Sequence, residues 1–112
     1  MPKCFLALIS APKKNALDLA RLLVNEAVAS CVQVSQAVTS VYYWQGKLCE
    51  EEEVLLWVKT TRAKLKSLKE LVCKHHPYQV PELIFVPIKG GHEAYLEWLI
   101  GSVNRNPASP PV

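Results

Sequence analysis

His75 and His76 stand side by side in the stretch VCKHHPYQVPELIF and are followed at once by Pro77. Neutral imidazole is the commonest protein ligand for zinc and copper. His75 continues the apolar stripe of the helix before it, while Pro77 pushes His76 into an extended conformation. Two neighbours in different backbone states can aim at one space. Glu82, six residues beyond His76, can add an oxygen ligand as the chain turns back. Cys73 falls off the stripe and is expected to face outward. A second reading is a helix end, where imidazolium complements the dipole. Adjacent residues ordinarily diverge, and two ligands do not make a tight structural site. Spacing alone leaves both readings open.

Other chemistries find less support. No nucleophile–base pair and no paired carboxylates stand in a plausible cleft, so no enzyme is expected. The cysteines Cys4, Cys31, Cys49 and Cys73 contain no C-x-x-C pair, which removes zinc-knuckle and thioredoxin-type motifs. The N-terminus MPKCFLALISAPKKN lacks a secretory pattern, and no run approaches the about 20 apolar residues that span a bilayer. A cytoplasmic protein with free thiols is the expectation. Lysine and arginine number 13 against 10 acidic residues, too even a balance to call for nucleic acid or a membrane surface. The 112 residues, half of them apolar, suit one globular domain over 1–103.

The elements that must position the histidines follow from periodicity. CFLALIS, Cys4 to Ser10, is a continuous apolar run, expected as a strand buried on both faces. Asn15 is placed to cap a helix with Asp18 in its first turn. Ala16, Leu19, Leu23 and Ala27 form its apolar stripe, and the helix should end near Ser30. From Cys31 to Trp44 the pattern becomes β-type, with a bend or bulge expected near Ser35 to Thr39. WQGK is a tight turn with Gly46 at the position of positive φ. KLCEEEEVLLWVKTT returns as the partner strand, acidic at Glu50 to Glu53 and apolar from Val54 to Val58, an inner half expected to be covered on both faces. Thr61 is placed to cap a second helix through Leu65, Leu68, Val72 and His75, which Pro77 stops. ELIFVPI is the last strand. HEAYLEWLIGSV is a last helix, packing through Ala94, Leu96, Trp98 and Leu99. The proline-rich tail 104–112 is expected to be disordered.

The order β-α-β-β-α-β predicts an α+β ferredoxin-like sandwich, a four-stranded antiparallel sheet with helices on one face, plus a C-terminal helix. One feature strains it. The central hairpin is longer than the outer strands, so its tip overhangs the sheet and leaves the YYW aromatics bare. An oligomer whose copies cover that overhang resolves the strain. Familiar uses of the fold are absent: the first loop, LISAPKK, has neither the cysteines of a metal chaperone nor the arginine of an acylphosphatase, and EEEE replaces the RNA-binding motif.

The segments SVYYWQGKLCEEEEVLLWVKTT, HHPYQVPELIFVPI and YLEWL, with LARLLVNEAVASCV, resemble the CutA family of divalent-cation tolerance proteins from Cys4 to Ser102. The resemblance implies compact homotrimers with high, assembly-dependent stability. Their long hairpins reach neighbouring subunits and pair sheets edge to edge, in an architecture like the PII signalling proteins. It also implies copper tolerance and binding of divalent copper. Family ligands carried over residue by residue fall on His75 and His76, with Glu82 near the same cleft. The family's cysteine ligand has no counterpart, because Ile9 occupies its position. Losing that soft thiolate leaves a pair suited to weak Cu²⁺ or other divalent binding. Trp44, Lys59 and Tyr78, with Glu82, match positions lining the inter-subunit cleft. The expected function is a trimeric, non-enzymatic divalent-metal (copper) binder. A PII-like small-molecule sensor and a trimeric scaffold with incidental metal are the alternatives.

Overall fold

A computed structural model describes residues 3–107. Five strands and three helices follow one another as β1 (Cys4–Ala11), α1 (Lys13–Asn25), β2 (Cys31–Val34), β3 (Val38–Trp44), β4 (Lys47–Thr61), α2 (Leu65–His75), β5 (Leu83–Pro87) and α3 (Glu93–Val103). The sheet order is β2-β4-β1-β5, every pairing antiparallel, and β3 pairs with the outer part of β4. With β2 and β3 as two pieces of one bent strand, this is the ferredoxin-like sandwich.

Alternation along the strands builds one dry face. Ala7 and Ile9 of β1 stand opposite Val58 and Leu56 of β4, and opposite Phe85 and Leu83 of β5. These side chains meet Leu19 and Leu23 of α1 and Leu68 and Val72 of α2 in one core. Each Leu, Ile or Val fully buried there contributes about 1.5–3 kcal/mol of transfer free energy. The other face differs from expectation. Leu6, Leu8 and Leu55 are only half-buried, and Trp57, Ile84 and Val86 are exposed. The apolar run of β4 therefore has one covered face, not two.

The bend between β2 and β3 is a one-residue bulge. Val34 pairs with Leu56 and Val38 with Glu53, so four steps on one strand meet three on the other. Ser35 fastens it: its N–H donates to Leu55 O at 2.8 Å, and its Oγ accepts from Leu55 N–H at 2.8 Å. At the hairpin tip both Gln45 (φ 49°) and Gly46 (φ 79°) are left-handed, the backbone of a type I′ turn whose hand matches strand twist. Only Gly46 was legible from residue type.

Helix boundaries depart from the caps expected. α1 begins at Lys13 behind Pro12, whose carbonyl accepts from both Asn15 and Ala16 N–H. Pro12 itself occupies the N-cap position in extended backbone (φ −60°, ψ 142°), so Asn15 lies inside the helix and its Oδ1 is buried without a partner among the described residues. Asp18 lies beyond the first turn, in an exposed pair with Arg21 of little energetic weight. The helix ends at Asn25 because Ala27 turns left-handed (φ 57°), and Val28 and Ala29 N–H close back on Leu23 O. Thr61 makes no side-chain cap bond. Its neighbour Thr60, fully buried, donates from Oγ1 to Val28 O at 2.7 Å and ties β4 to the turn after α1.

α3 rotates relative to the expected stripe. Leu99 and Val103 are buried, whereas Ala94 and Trp98 face out and Trp98 packs on Tyr95. Of the tail, residues 104–107 are described, and Arg105 hydrogen-bonds to Ser102 O and Val24 O at the ends of two helices. Residues 108–112 lie outside the described residues. No described helix is long and apolar enough to cross a membrane.

Thr60→Val keeps shape but strips the donor from a buried carbonyl. Urea unfolding should show a loss of about 1–3 kcal/mol. An unchanged midpoint would contradict the role assigned to that bond.

Candidate functional site

The site forms where the hairpin leaves the sheet. Val54 pairs with Ala11 of β1, while Glu53, one residue earlier, pairs only with Val38 of β3. Glu53 is 6% exposed, and its Oε2 accepts a hydrogen bond from the Tyr78 hydroxyl at 2.9 Å. Tyr78 lies in the link between α2 and β5. The local sequence explains its position. Pro77 forces His76 extended (φ −73°, ψ 138°), which ends α2 and turns the His76 ring inward.

His76 is a brace. Its Nδ1 accepts from Tyr78 N–H at 3.1 Å, so the ring proton sits on Nε2, which donates to Ser10 O at 2.7 Å. The ring also packs against Tyr78, centroids 4.8 Å apart. Ser10 Oγ in turn donates to Glu82 Oε1 at the long distance of 3.5 Å. His76 and Glu82 thus meet at one residue of β1. His75 does not join them. It is exposed at the last position of α2, not on the inward stripe, because Leu68 and Val72 end the buried face.

Beside this network lies a cavity of about 370 Å³, walled by the rings of Tyr42, Trp44 and Tyr78 and by the carboxylates of Glu51, Glu53 and Glu82. Its field is negative. Burial, the bond to Glu53, and the charges of Glu53 and Glu51 together push the Tyr78 hydroxyl up to about 12. Tyr42 is pushed up as well, by desolvation first and then by Glu51.

Of the positions expected around the cleft, Trp44, Tyr78 and Glu82 line this cavity. Lys59 does not. It lies on the open sheet face opposite Leu6, bonded from Nζ to Gln33 Oε1 and, at 3.2 Å, to Trp57 O. Sequence reasoning missed Ser10, Tyr42, Glu51 and Glu53. The acidic carboxylates were legible in principle. Counting back by twos from Trp57 and Leu55 puts Glu53 and Glu51 on the same face, at the end of the sheet.

A resident metal does not fit the residues of one chain as they stand. Among the described residues no three His, Cys, Asp or Glu converge to hold an ion. Both nitrogens of His76 are engaged, and His75 points elsewhere.

Comparison with known proteins agrees with the geometry. The family model "CutA1 divalent ion tolerance protein" matches residues 5–102. The divalent-cation tolerance protein CutA of Thermus thermophilus is 45% identical over 93 residues, 82% of this chain and 90% of the relative. The crystal structure of CutA1 from Oryza sativa superposes with a TM-score of 0.87 at 39% identity, covering 90% of this chain and 94% of that one. The apo form of the PII-like protein CutA from Nostoc gives 0.84 at 31% identity, covering 89% and 97%. Sheet order, overhanging hairpin and near full-length similarity lead to one conclusion: the chain belongs to the CutA1 divalent ion tolerance family.

Proposed function

We propose that the protein is a homotrimer that responds to divalent cations by binding and without catalysis, in the cytoplasm. The observation that carries this reading is the acidic cleft at the foot of the hairpin, in a chain of the divalent ion tolerance family. Cu²⁺ is the proposed ion and His75, His76 and Glu82 are its proposed contacts. Copper would come and go as an exchanging ligand, since no closed ligand set stands ready. His75 supplies an accessible imidazole. The lone pair of His76 lies on Nδ1, where it accepts the Tyr78 N–H, so the ring reaches a metal only by giving up a hydrogen bond, at a cost of about 1–3 kcal/mol, which weakens affinity by about ten- to a hundredfold. The trimeric state is supported by the exposed apolar side chains Trp57, Ile84 and Val86 on one sheet face, which one chain leaves wet.

A second reading has its own observation. The cavity has the volume and mixed aromatic–polar lining of a small-molecule pocket, and the Nostoc relative is described as PII-like. In that reading the cleft senses a metabolite and metal contact is incidental.

Isothermal titration with Cu²⁺ tests the first reading. His75→Ala should weaken binding, and His75→Ala with His76→Ala should remove it. Identical titrations of parent and double variant would overturn the ligand assignment.

Both readings need a preformed cleft wall, which the Tyr78–Glu53 bond supplies. The tyrosine's ordinary value is 10.0 and its folded value about 12, so the folded chain holds that proton more tightly. The stabilisation is complete below pH 10 and is lost as pH rises through about 12. Tyrosinate absorbance should show the last tyrosine to titrate, near pH 12, disappear in Tyr78→Phe, and that variant should lose less stability across the same window. Superimposable titrations would contradict the bond.

A further inference from the structure

The near balance of charge along the chain hides a separation in space. α1, the turn Arg62–Lys64 and α2 hold eight of the 13 lysines and arginines but only two of the 10 carboxylates, Asp18 and Glu70. The rest of the chain is therefore acidic, led by Glu50 to Glu53 of the hairpin. α1 and α2 lie on the same side of the sheet, where they share one core and touch each other. Their outer surfaces make one strongly basic side of the molecule, with Lys13, Lys14, Arg21, Lys66, Lys69 and Lys74 all exposed.

The chain does not answer this charge. Asp18 pairs with Arg21 at 3.5 Å, and none of the six lysines of these elements has an ion-pair or hydrogen-bond partner among the described residues. Like charges held on one surface repel, and a polyanion laid against them gains from all of them at once. In the proposed assembly the copies cover the hairpin and the apolar sheet residues, which leaves the helical side facing outward.

Three features choose among polyanions. Six of the eight cations are lysines, compact charges on flexible stems that suit a diffuse, mobile field better than bidentate recognition of one group. Neither helix holds a Phe, Tyr or Trp, so bases find no ring to stack on and a protein partner finds no aromatic anchor. Leu17 is 52% exposed and stands one turn from Lys13 and Lys14 on one side and from Arg21 on the other, along one stripe of α1. An apolar side chain flanked by long cationic ones is the pattern of a helix lying against lipid headgroups.

We infer that the outer side of α1 and α2 docks on an anionic lipid surface, with the lysines over the headgroups and Leu17 at their boundary with the acyl chains. The inference goes beyond the proposed function and does not depend on what the cleft binds. The contact is peripheral and electrostatic. Each cation near such a surface raises partition by about fivefold, within a distance that salt shortens.

Cosedimentation of the full-length protein with vesicles of phosphatidylserine and phosphatidylcholine is the test, with pure phosphatidylcholine vesicles and a random-sequence DNA duplex in parallel. The protein should pellet with the anionic vesicles, stay in solution with phosphatidylcholine alone, and be released at about 1 M salt, where screening acts over about 3 Å. Lys66→Gln with Lys69→Gln, exposed changes that spare the fold, should lower partition about tenfold or more. Leu17→Gln should lower it about threefold and leave any affinity for the duplex unchanged. Lys89→Gln, in the link between β5 and α3, should leave partition as it was. Equal pelleting with both kinds of vesicle, no pelleting with either, or equal partition of parent and Lys66–Lys69 variant would overturn the inference. A Leu17→Gln variant that pelleted like the parent would overturn the seat given to that residue. Duplex binding tighter than vesicle binding would assign the surface to nucleic acid and overturn the lipid partner.

Discussion

β4 is longer than anything it can pair with inside its own sheet. Its 15 residues face a β1 of 8, so only Val54 to Thr61 lie in the sandwich. The preceding residues, Lys47 to Glu53, have β3 alone for a partner. An isolated two-stranded ribbon is marginal in water, and this one bears Val41, Tyr43 and Leu48 in the open. The projecting hairpin and the cleft at its foot both follow from that one mismatch of length. Glu53 is buried because it is the last residue of the projecting part of β4, where the hairpin meets the sheet.

A second constraint converts the junction into a cleft. The link after α2 has few apolar anchors of its own, so polar contacts fix it. His76 bonds to the end of β1 through Ser10 and receives the Tyr78 N–H, and Tyr78 bonds to the foot of the hairpin through Glu53. Three elements distant in sequence are thereby held by one histidine in a defined tautomer. The histidine that spacing nominated as a ligand thus serves the architecture first, and any role with a metal competes with that one.

Much of the fold was legible because periodicity reports burial. The strand order, the bulge after Val34 and the hairpin turn follow from alternation and from turn chemistry. Cap positions were less so. Asn15 and Thr61 have capping side chains, yet Pro12 and Thr60 perform the local work, since a carbonyl's partner depends on tertiary neighbours that a single segment does not reveal. His75 was misplaced for a related reason. Extending a helical stripe by one more step assumes the partner surface continues, and here it stops at Val72. At the site, Glu82 was named from its spacing after the histidines, and Trp44 and Tyr78 from motif resemblance. Glu53 and Ser10 were not, because a carboxylate in an acidic run looks solvated until the register places it at the edge of the sheet. Lys59 lies away from that cavity within one chain.

A single chain is unfinished in the proposed assembly, and copies of itself complete the hairpin and the open face. Sedimentation equilibrium over a wide range of protein concentration tests this most directly. The predicted result is a species of three times the 12.5 kDa chain mass, with loss of folded structure accompanying any dissociation. A folded monomer at micromolar concentration would contradict it.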